Sequence, residues 1–269
     1  MTASRIVFGL VVNTPGSELP ARLDRLTNWV ASQTGTAVVR FDAPSYEALA
    51  TEVREGRVDV AWLPPIVFVR LADAVTPIGS ILRDGKSTYE AALVVRGDSK
   101  LRTIDALRGT RAGWVDPWSA AGFVLPRVKL ALLGVDPRTA FRSERFYGSH
   151  RAAMTALAEG ACDVAGTYAQ ADAEGNVNAG AWSEIEGAEV RVLATFGAIP
   201  PDVIAVRKGY PEEAREKVLA ALRAACGEES TRAVLREIFN GDQLHEGLVS
   251  GYESLKSALD MATARGLFD

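Results

Sequence analysis

Small residues follow a capping hydroxyl in the middle of this chain, at Trp114-Val-Asp-Pro-Trp-Ser-Ala-Ala-Gly-Phe123. Ser119 is a good N-cap, and Ala120, Ala121 and Gly122 fill the first helical turn behind it. With no bulk over them, the first backbone N–H groups and the positive end of the helix dipole make a place for an oxyanion. The same residues also suit an ordinary capped helix that binds nothing, since a free helix start is a capacity and not a binding event. The chemistry on offer is capture of an anion by neutral donors. Two histidines, His150 and His245, and two separated cysteines, Cys162 and Cys226, form no zinc-spaced cluster, and no cofactor is expected.

A repeat strengthens the anion reading. Ser45-Tyr-Glu-Ala-Leu-Ala-Thr-Glu-Val-Arg-Glu-Gly-Arg-Val-Asp-Val-Ala61 returns 104 positions later as Ser149-His-Arg-Ala-Ala-Met-Thr-Ala-Leu-Ala-Glu-Gly-Ala-Cys-Asp-Val-Ala165. Ser45/Ser149, Gly56/Gly160 and Asp59/Asp163 match without a gap. Each copy reads as a capped helix, a glycine stop and a strand. The position after each cap carries a polar-tipped ring, Tyr46 in one copy and His150 in the other. The duplication suggests two similar lobes, each aiming a helix start the same way.

The elements that must position these residues alternate along the chain. A strand over 6–12 ends at the turn Asn13-Thr-Pro-Gly16, and Leu19, Leu23, Leu26, Trp29 and Val30 mark a helix. A strand over 37–41 precedes the first repeat, whose own strand runs into Pro64-Pro65. Pro65 opens a helix over 66–72, followed by a strand over 75–82. Tyr89 starts a strand over 89–96. A short helix (104–107), the strand 111–115, the Ser119 helix ended by Gly134, and a strand near 141–146 lead to the second repeat. Residues 174–178 read as loop, 189–196 and 203–207 as strands, and helices near 211–226, 230–240 and 251–265 complete the chain. Alternation of this kind points to mainly parallel α/β sheets. Arg83-Asp-Gly-Lys-Ser87 and Gly197-Ala-Ile-Pro-Pro-Asp202 are candidate crossings, near 83–89 and 196–202. They divide the chain into a discontinuous lobe 1 (1–83 and 201–269, all three C-terminal helices included) and a lobe 2 (84–200), hinged about a cleft. Tyr46, Trp62, Tyr89, the Ser119 turn, His150, Tyr168 and Asp202 fall at the strand and helix ends where such sheets bind ligands.

Composition excludes little but agrees. At 269 residues the chain can bury a full core, and 48% hydrophobic with 24% charged residues is ordinary for a globular protein. A net charge of −4 argues against nucleic acid, which leaves a basic stripe, yet permits an anionic ligand held by oriented dipoles. No apolar run reaches membrane-spanning length. No basic segment, apolar core and small-residue cleavage site open the sequence in order, so the expectation is a cytosolic protein, or a periplasmic or cell-surface one whose leader lies outside it. The two cysteines read as buried thiols rather than a disulfide.

Ser45-Tyr-Glu-Ala-Leu, Val58-Asp-Val-Ala-Trp, Tyr89 before its strand, Asp116-Pro-Trp-Ser-Ala-Ala-Gly, Gly148-Ser-His and Ile199-Pro-Pro-Asp together resemble the phosphonate/phosphite/phosphate substrate-binding proteins of ABC importers. The resemblance spans nearly the whole chain in the same motif order. It implies the type II periplasmic-binding-protein fold, a monomer that hands a small phosphorus oxyanion to transporter membrane subunits, and no enzyme activity. It further implies that Tyr46, Tyr89, Ser119, Ala120, Ala121 and His150 hold the oxyanion. Tyr168 and Asp202 would lie where the organic substituent or the ligand's proton is read. Two departures from the family pattern favour a compact ligand such as phosphate, phosphite or methylphosphonate. Ala120 and Ala121 offer only backbone N–H groups, and Tyr168 stands where relatives can place a carboxylate against an ammonium.

Blander roles stay open. Ser119 caps its helix in either case, Tyr46 and Tyr89 also suit half-buried strand ends, and His150 suits a surface position. An imidazole at His150 facing an anion would make binding sensitive to pH near neutrality. Asp202, following two prolines, can cap a turn or accept a proton carried by the ligand. Trp62 and Trp118 read as packing residues and Asp116 as a turn cap. Two other functions compete with capture for transport. One is a cytosolic enzyme on a binding-protein fold, with His150 and Asp116 or Asp202 as its candidates; the other is a ligand sensor.

Overall fold

A computed structural model describes residues 5–12, 19–83, 85–172, 174–239 and 241–268. In chain order its first elements are β1 (Ile6–Val11), α1 (Leu19–Thr34), β2 (Val38–Ala43), α2 (Tyr46–Arg54), β3 (Val60–Leu63), α3 (Pro65–Leu71), β4 (Val75–Leu82), β5 (Tyr89–Arg96) and β6 (Arg111–Trp114). Then come α4 (Leu125–Leu132), α5 (Pro137–Ala140), β7 (Ser143–Phe146), α6 (His150–Ala158), β8 (Val164–Ala171), β9 (Val177–Gly180), β10 (Val190–Ile199) and β11 (Val203–Arg207). The chain ends with α7 (Glu212–Gly227), α8 (Glu229–Phe239), β12 (Gln243–Glu246) and α9 (Tyr252–Ala264). The turn expected at Asn13–Gly16 lies outside the described residues, as does Asp84 of the first candidate crossing.

Two compact units emerge: Met1–Ser87 with Pro200–Ser250, and Thr88–Ile199 with Gly251–Asp269. The first holds a sheet ordered β12-β4-β11-β3-β1-β2, in which β1 runs parallel to β2 and β3. Its strands are buried by α1, α7 and α8, whose Leu23, Leu26, Val30, Val218, Leu222 and Leu235 recur at helical spacing and close on Ile6, Phe8 and Leu10. In the second unit the order is β10-β5-β8-β6-β7, with β9 paired to β8. Its parallel strands are β7, β6 and β8, and α6 supplies Ala153, Met154 and Leu157 to the core.

The sequence repeat extends into tertiary structure. Phe8 and Gly9 of β1 pair with Val60 and Ala61 of β3, and Ala112 and Gly113 of β6 pair with Val164 and Ala165 of β8, the same offset of 104 throughout. Each repeated aspartate ties its strand to the neighbour. Asp59 Oδ2 accepts from the Val7 amide at 2.9 Å, and Asp163 Oδ2 accepts from the Arg111 amide at 2.9 Å. Arg207 completes the first hook at 2.9 Å, and the Arg111 guanidinium completes the second at 2.6 Å. That guanidinium hydrogen bond holds the Asp163 carboxyl below its ordinary range. We expect Asp59→Ala and Asp163→Ala each to lower stability by about 2 kcal/mol, read as a reduced urea midpoint, because each strands an amide and an arginine. The Asp163 loss should shrink as pH falls below 3.8, since a depressed carboxyl contributes only where it stays ionised.

Several elements differ from the sequence reading. β12 and β9 fall where loop or an unassigned segment is expected; both are four-residue strands without clear alternation. The largest difference is α9, expected on the first lobe but lodged in the second unit. Its Ala262 and the following Leu267 pack on Val128 of α4, and the Arg127 guanidinium donates to the Leu267 carbonyl at 2.7 Å. The chain thus changes unit three times, at 87/88, 199/200 and 250/251. Both cysteines are free thiols, Cys162 buried and Cys226 half-buried.

Candidate functional site

The residues of interest lie at or near the carboxyl ends of the parallel strands of each unit, or at the opening of the antiparallel strands β5 and β11 beside them. In the second unit, Asp116 turns the chain after β6 by accepting the Trp118 amide on its carboxylate at 2.8 Å and the Ser119 amide on its carbonyl at 2.9 Å. Ser119 Oγ then accepts the Gly122 amide at 3.0 Å. The expected cap is therefore made, but the turn behind it is wider than expected. Residues Ala120–Val124 form one π-helical turn before α4, with the Val124 amide donating to the Ser119 carbonyl at 3.0 Å and the Leu125 amide to that of Ala120. Such a wide turn leaves its opening amides, those of Ala120 and Ala121, without an intrahelical acceptor.

Two glycines let this turn approach the sheet. A Cβ on Gly122 would meet Val115 Cγ2 at 2.3 Å, and one on Gly166 of β8 would meet the Gly122 carbonyl at 2.9 Å. Ser119, at 4% exposure, and both alanines are consequently buried. Next to Gly166, Thr167 Oγ1 lies 3.0 Å from His150 Nδ1, which fixes the ring at the start of α6. Ser149 caps that helix by accepting the Ala152 amide at 3.1 Å, as Ser45 does for the Ala48 amide in α2. The His150 ring meets the Tyr168 ring edge-on at 5.0 Å, and the Tyr168 hydroxyl donates to Glu184 Oε1 at 2.6 Å. Tyr89, half-buried, opens β5 opposite the end of β8.

Within the first unit, Tyr46 is the first residue of α2, half-buried behind its cap. Asp202 precedes β11, whose Val203 pairs with Leu63 at the end of β3. Its side chain, 13% exposed, has the Arg83 guanidinium at 3.4 Å and takes a hydrogen bond from Trp62. A cation beside this carboxylate was not anticipated, so Asp202 is not reserved for a ligand proton alone. Trp62 does pack, edge-on to Phe239 at 4.3 Å, and also serves as that donor. Burial raises the Asp202 carboxyl above its ordinary value, against the opposing pull of Arg83 and Trp62. A carboxyl raised on folding contributes stability below its unfolded value of 3.8 and loses it as pH climbs through the raised folded value. We therefore expect the melting-temperature difference between the parent and Asp202→Asn to move against the parent across that rise; a pH-independent difference would contradict it.

The structure thus gathers His150, Thr167, Tyr168 and Glu184 in one unit, beside β8 on which the Ser119 turn rests, and Asp202, Arg83 and Trp62 in the other. Thr167, Glu184 and Arg83 escaped the sequence reading. Arg83 stood in a predicted crossing and was legible as a charge near Asp202; nothing marked the other two. Of the enzyme candidates, His150 uses Nδ1 on a threonine hydroxyl, and Asp116 spends Oδ1 on the Trp118 amide. Among the described residues no group of three His, Cys, Asp or Glu could hold a metal ion, and no helix is long and apolar enough to cross a membrane.

Comparison with known families decides the assignment. Residues 8–251 match the family described as "ABC transporter, phosphonate, periplasmic substrate-binding protein". The chain belongs to this family. Among similar proteins, the phosphate-import protein PhnD of Mycolicibacterium smegmatis is 29% identical over 55% of the chain and 50% of its own length. The phosphonates-binding periplasmic protein of Escherichia coli is 25% identical over 78% and 63%. The chain therefore spans about half to two thirds of these relatives. Two solved structures share the fold with a TM-score of 0.80. One is PhnD1 of Prochlorococcus marinus in complex with methylphosphonate, 15% identical and covered over 97% of this chain and 98% of its own. The other is a phosphonate-transporter binding component from Pseudomonas aeruginosa, 21% identical over 96% and 88%. Its fold is that of the type II periplasmic binding proteins.

Proposed function

We propose that this phosphonate-family chain captures a small phosphorus oxyanion, whether phosphonate, phosphite or phosphate, and delivers it to the membrane subunits of an ABC importer. The observation that carries the reading is the Ser119-capped π-helical turn, seated on β8 next to the His150–Thr167 pair, in a chain of this family. The amides of Ala120 and Ala121 and the hydroxyl of Ser119 hold the oxyanion, and His150 donates to it from the start of α6. Hydrogen bonds to a charged group are worth about 1.5–3 kcal/mol each, so a few such donors suffice for micromolar capture. Tyr89 adds a hydroxyl and Tyr168 meets the substituent; in the first unit Tyr46 and Asp202, the latter held by Arg83 and Trp62, are the candidates for a further hydroxyl and for accepting a hydrogen bond from a protonated ligand. The protein works as a monomer, outside the cytoplasmic membrane, and catalyses no reaction.

Titration calorimetry tests this with phosphate, phosphite, methylphosphonate, 2-aminoethylphosphonate and sulfate. Binding of at least one phosphorus compound, with sulfate rejected, is expected. Silence from every phosphorus compound would overturn the assignment.

A further inference from the structure

An arginine ends the antiparallel strand beside each repeated aspartate, and the two units use it differently. β11 stands to β3 as β5 stands to β8. Val206 pairs with Val60, so one step further Arg207 comes opposite Asp59. Val94 pairs with Ala165, and the same register carried on sets Arg96 opposite Asp163. In the first unit the pair closes, Arg207 Nε reaching Asp59 Oδ1 at 2.9 Å. In the second it stays open. Arg96 Nε turns to Asp98 at 3.2 Å, while Asp163 takes Arg111 instead. A cavity of about 200 Å³ lies there, lined by Arg96, Ser99, Leu101, Thr110 and Asp163. It sits at the amino ends of β6 and β8, whereas the Ser119 turn follows the carboxyl end of β6.

The polar members of the lining divide into donors and acceptors. Arg96 rests against the turn at Gly160, where an added Cβ would come 3.2 Å from its Nη1. Its guanidinium can only donate. Ser99 Oγ accepts the Leu101 amide at 3.2 Å, which leaves its O–H to give. Thr110 is the reverse: its hydroxyl donates to the Leu107 carbonyl at 2.6 Å and keeps lone pairs that accept. The Asp163 carboxylate takes the Arg111 amide at 2.9 Å, Nε at 3.1 Å and Nη2 at 2.6 Å. Two carboxylate oxygens offer about four acceptor positions, so one is left over. Arg96 and Arg111 balance Asp98 and Asp163 in charge. A lone anion or a lone cation therefore gains little there, and a molecule with both ends gains from both.

We propose that this cavity is a second binding site, which takes a small zwitterion of the α-amino-acid type. The ligand's carboxylate meets Arg96 and Ser99, and its ammonium meets Asp163 and Thr110. Leu101 supplies an apolar wall for a short side chain. The bound molecule fills the place that the Arg207–Asp59 contact closes in the first unit, and it ties β5 to β8. A space several times the volume of a water molecule is enough for glycine or alanine.

The test is an NMR titration of the isotope-labelled protein with glycine and L-alanine, with and without saturating methylphosphonate. The amide signals of Ser99, Leu101 and Thr110 should shift saturably, with dissociation in about the millimolar range. Acetate and ethylammonium, which carry one end each, should bind at least about tenfold more weakly. Arg96→Gln leaves the Asp163–Arg111 hook intact and should weaken glycine about tenfold, and Thr110→Val about threefold. Glycine should also raise the melting temperature of the parent but not of Arg96→Gln. Unmoved signals at these residues overturn the proposal. So does acetate that matches glycine, or an Arg96→Gln protein that binds glycine like the parent. Displacement of glycine by methylphosphonate would place it in the oxyanion site and overturn the proposal too. If no phosphorus compound binds, the titration without methylphosphonate still decides the cavity. Should Arg96→Gln fail to fold by circular dichroism, Thr110→Val carries the comparison.

Discussion

Gly122→Ala is expected to weaken phosphonate binding about 100-fold, because displacing the turn removes the two amide donors of Ala120 and Ala121 at about 1.5 kcal/mol each. The added methyl group has nowhere to go. It would fall 2.3 Å from Val115 Cγ2, 2.5 Å from Val115 Cβ and 2.8 Å from Ser119 Oγ, so it strikes both the strand beneath and the cap above. Both neighbours are fixed: Val115 donates its amide to the Gly122 carbonyl at 3.3 Å, and Ser119 Oγ is held by the Gly122 amide itself. Overpacking of this sort also costs about 1–3 kcal/mol in stability. Calorimetry with methylphosphonate and 2-aminoethylphosphonate, run beside a thermal melt, separates the two effects. Wild-type affinity in a folded Gly122→Ala protein would mean that the ligand does not use this turn.

Arg127→Met should lower stability by about 3 kcal/mol, the low end for leaving a buried ion pair half-made, since the Glu144 side chain retains 29% exposure and can rehydrate. Arg127 is 3% exposed and sits among three partners. It donates to Glu144 and to the Leu267 carbonyl, and it lies over the Phe123 ring at 5.1 Å. Trp114 shares the same carboxylate, its indole N–H 2.6 Å from Glu144 Oε2. The cluster fastens the segment after α9 to the helix that carries the Ser119 turn, and Phe268 packs against Phe123 within it. For a unit of this size the melting temperature should drop by about 6–12 °C. Replacing both partners, as Arg127→Met with Glu144→Leu, should recover part of the loss because no charge is then stranded. A single substitution that melts with the parent would show that the C-terminal segment holds without this contact.

Much of the architecture was legible in residue types and spacing, because its signals are local. Ser45 and Ser149 cap helices through amides three residues away, Gly56 and Gly160 take positive φ values of 72° and 76° at the helix ends, and Pro65 opens α3. Each depends on a backbone conformation that neighbours in sequence can specify. The duplicated unit was legible for the same reason, and its aspartate hooks followed at the same offset. What stayed hidden depends on partners distant in sequence. The destination of α9 is set by Arg127 and Val128, far upstream of it, and an amphipathic helix carries no record of which apolar face it will meet. β12, four residues long with no alternation, becomes a strand only because β4 offers it an edge.

The candidate site divides along the same line. Amino-acid order alone supplied the candidate groups: a capped run of small residues, a ring after each repeated cap, and an accepting carboxylate after two prolines. Tertiary structure decided their states. It widened the first turn to π geometry where Gly122 and Gly166 let it press on the sheet, and it put Thr167 on His150 Nδ1. It also placed Arg83 beside Asp202 and Glu184 behind Tyr168. A side chain's type fixes what it can donate or accept, but which of those capacities is already used depends on groups brought alongside by folding. The chain order therefore determined which groups are chemically able to meet an anion, and the fold determined which of their hydrogen-bonding capacities are already engaged.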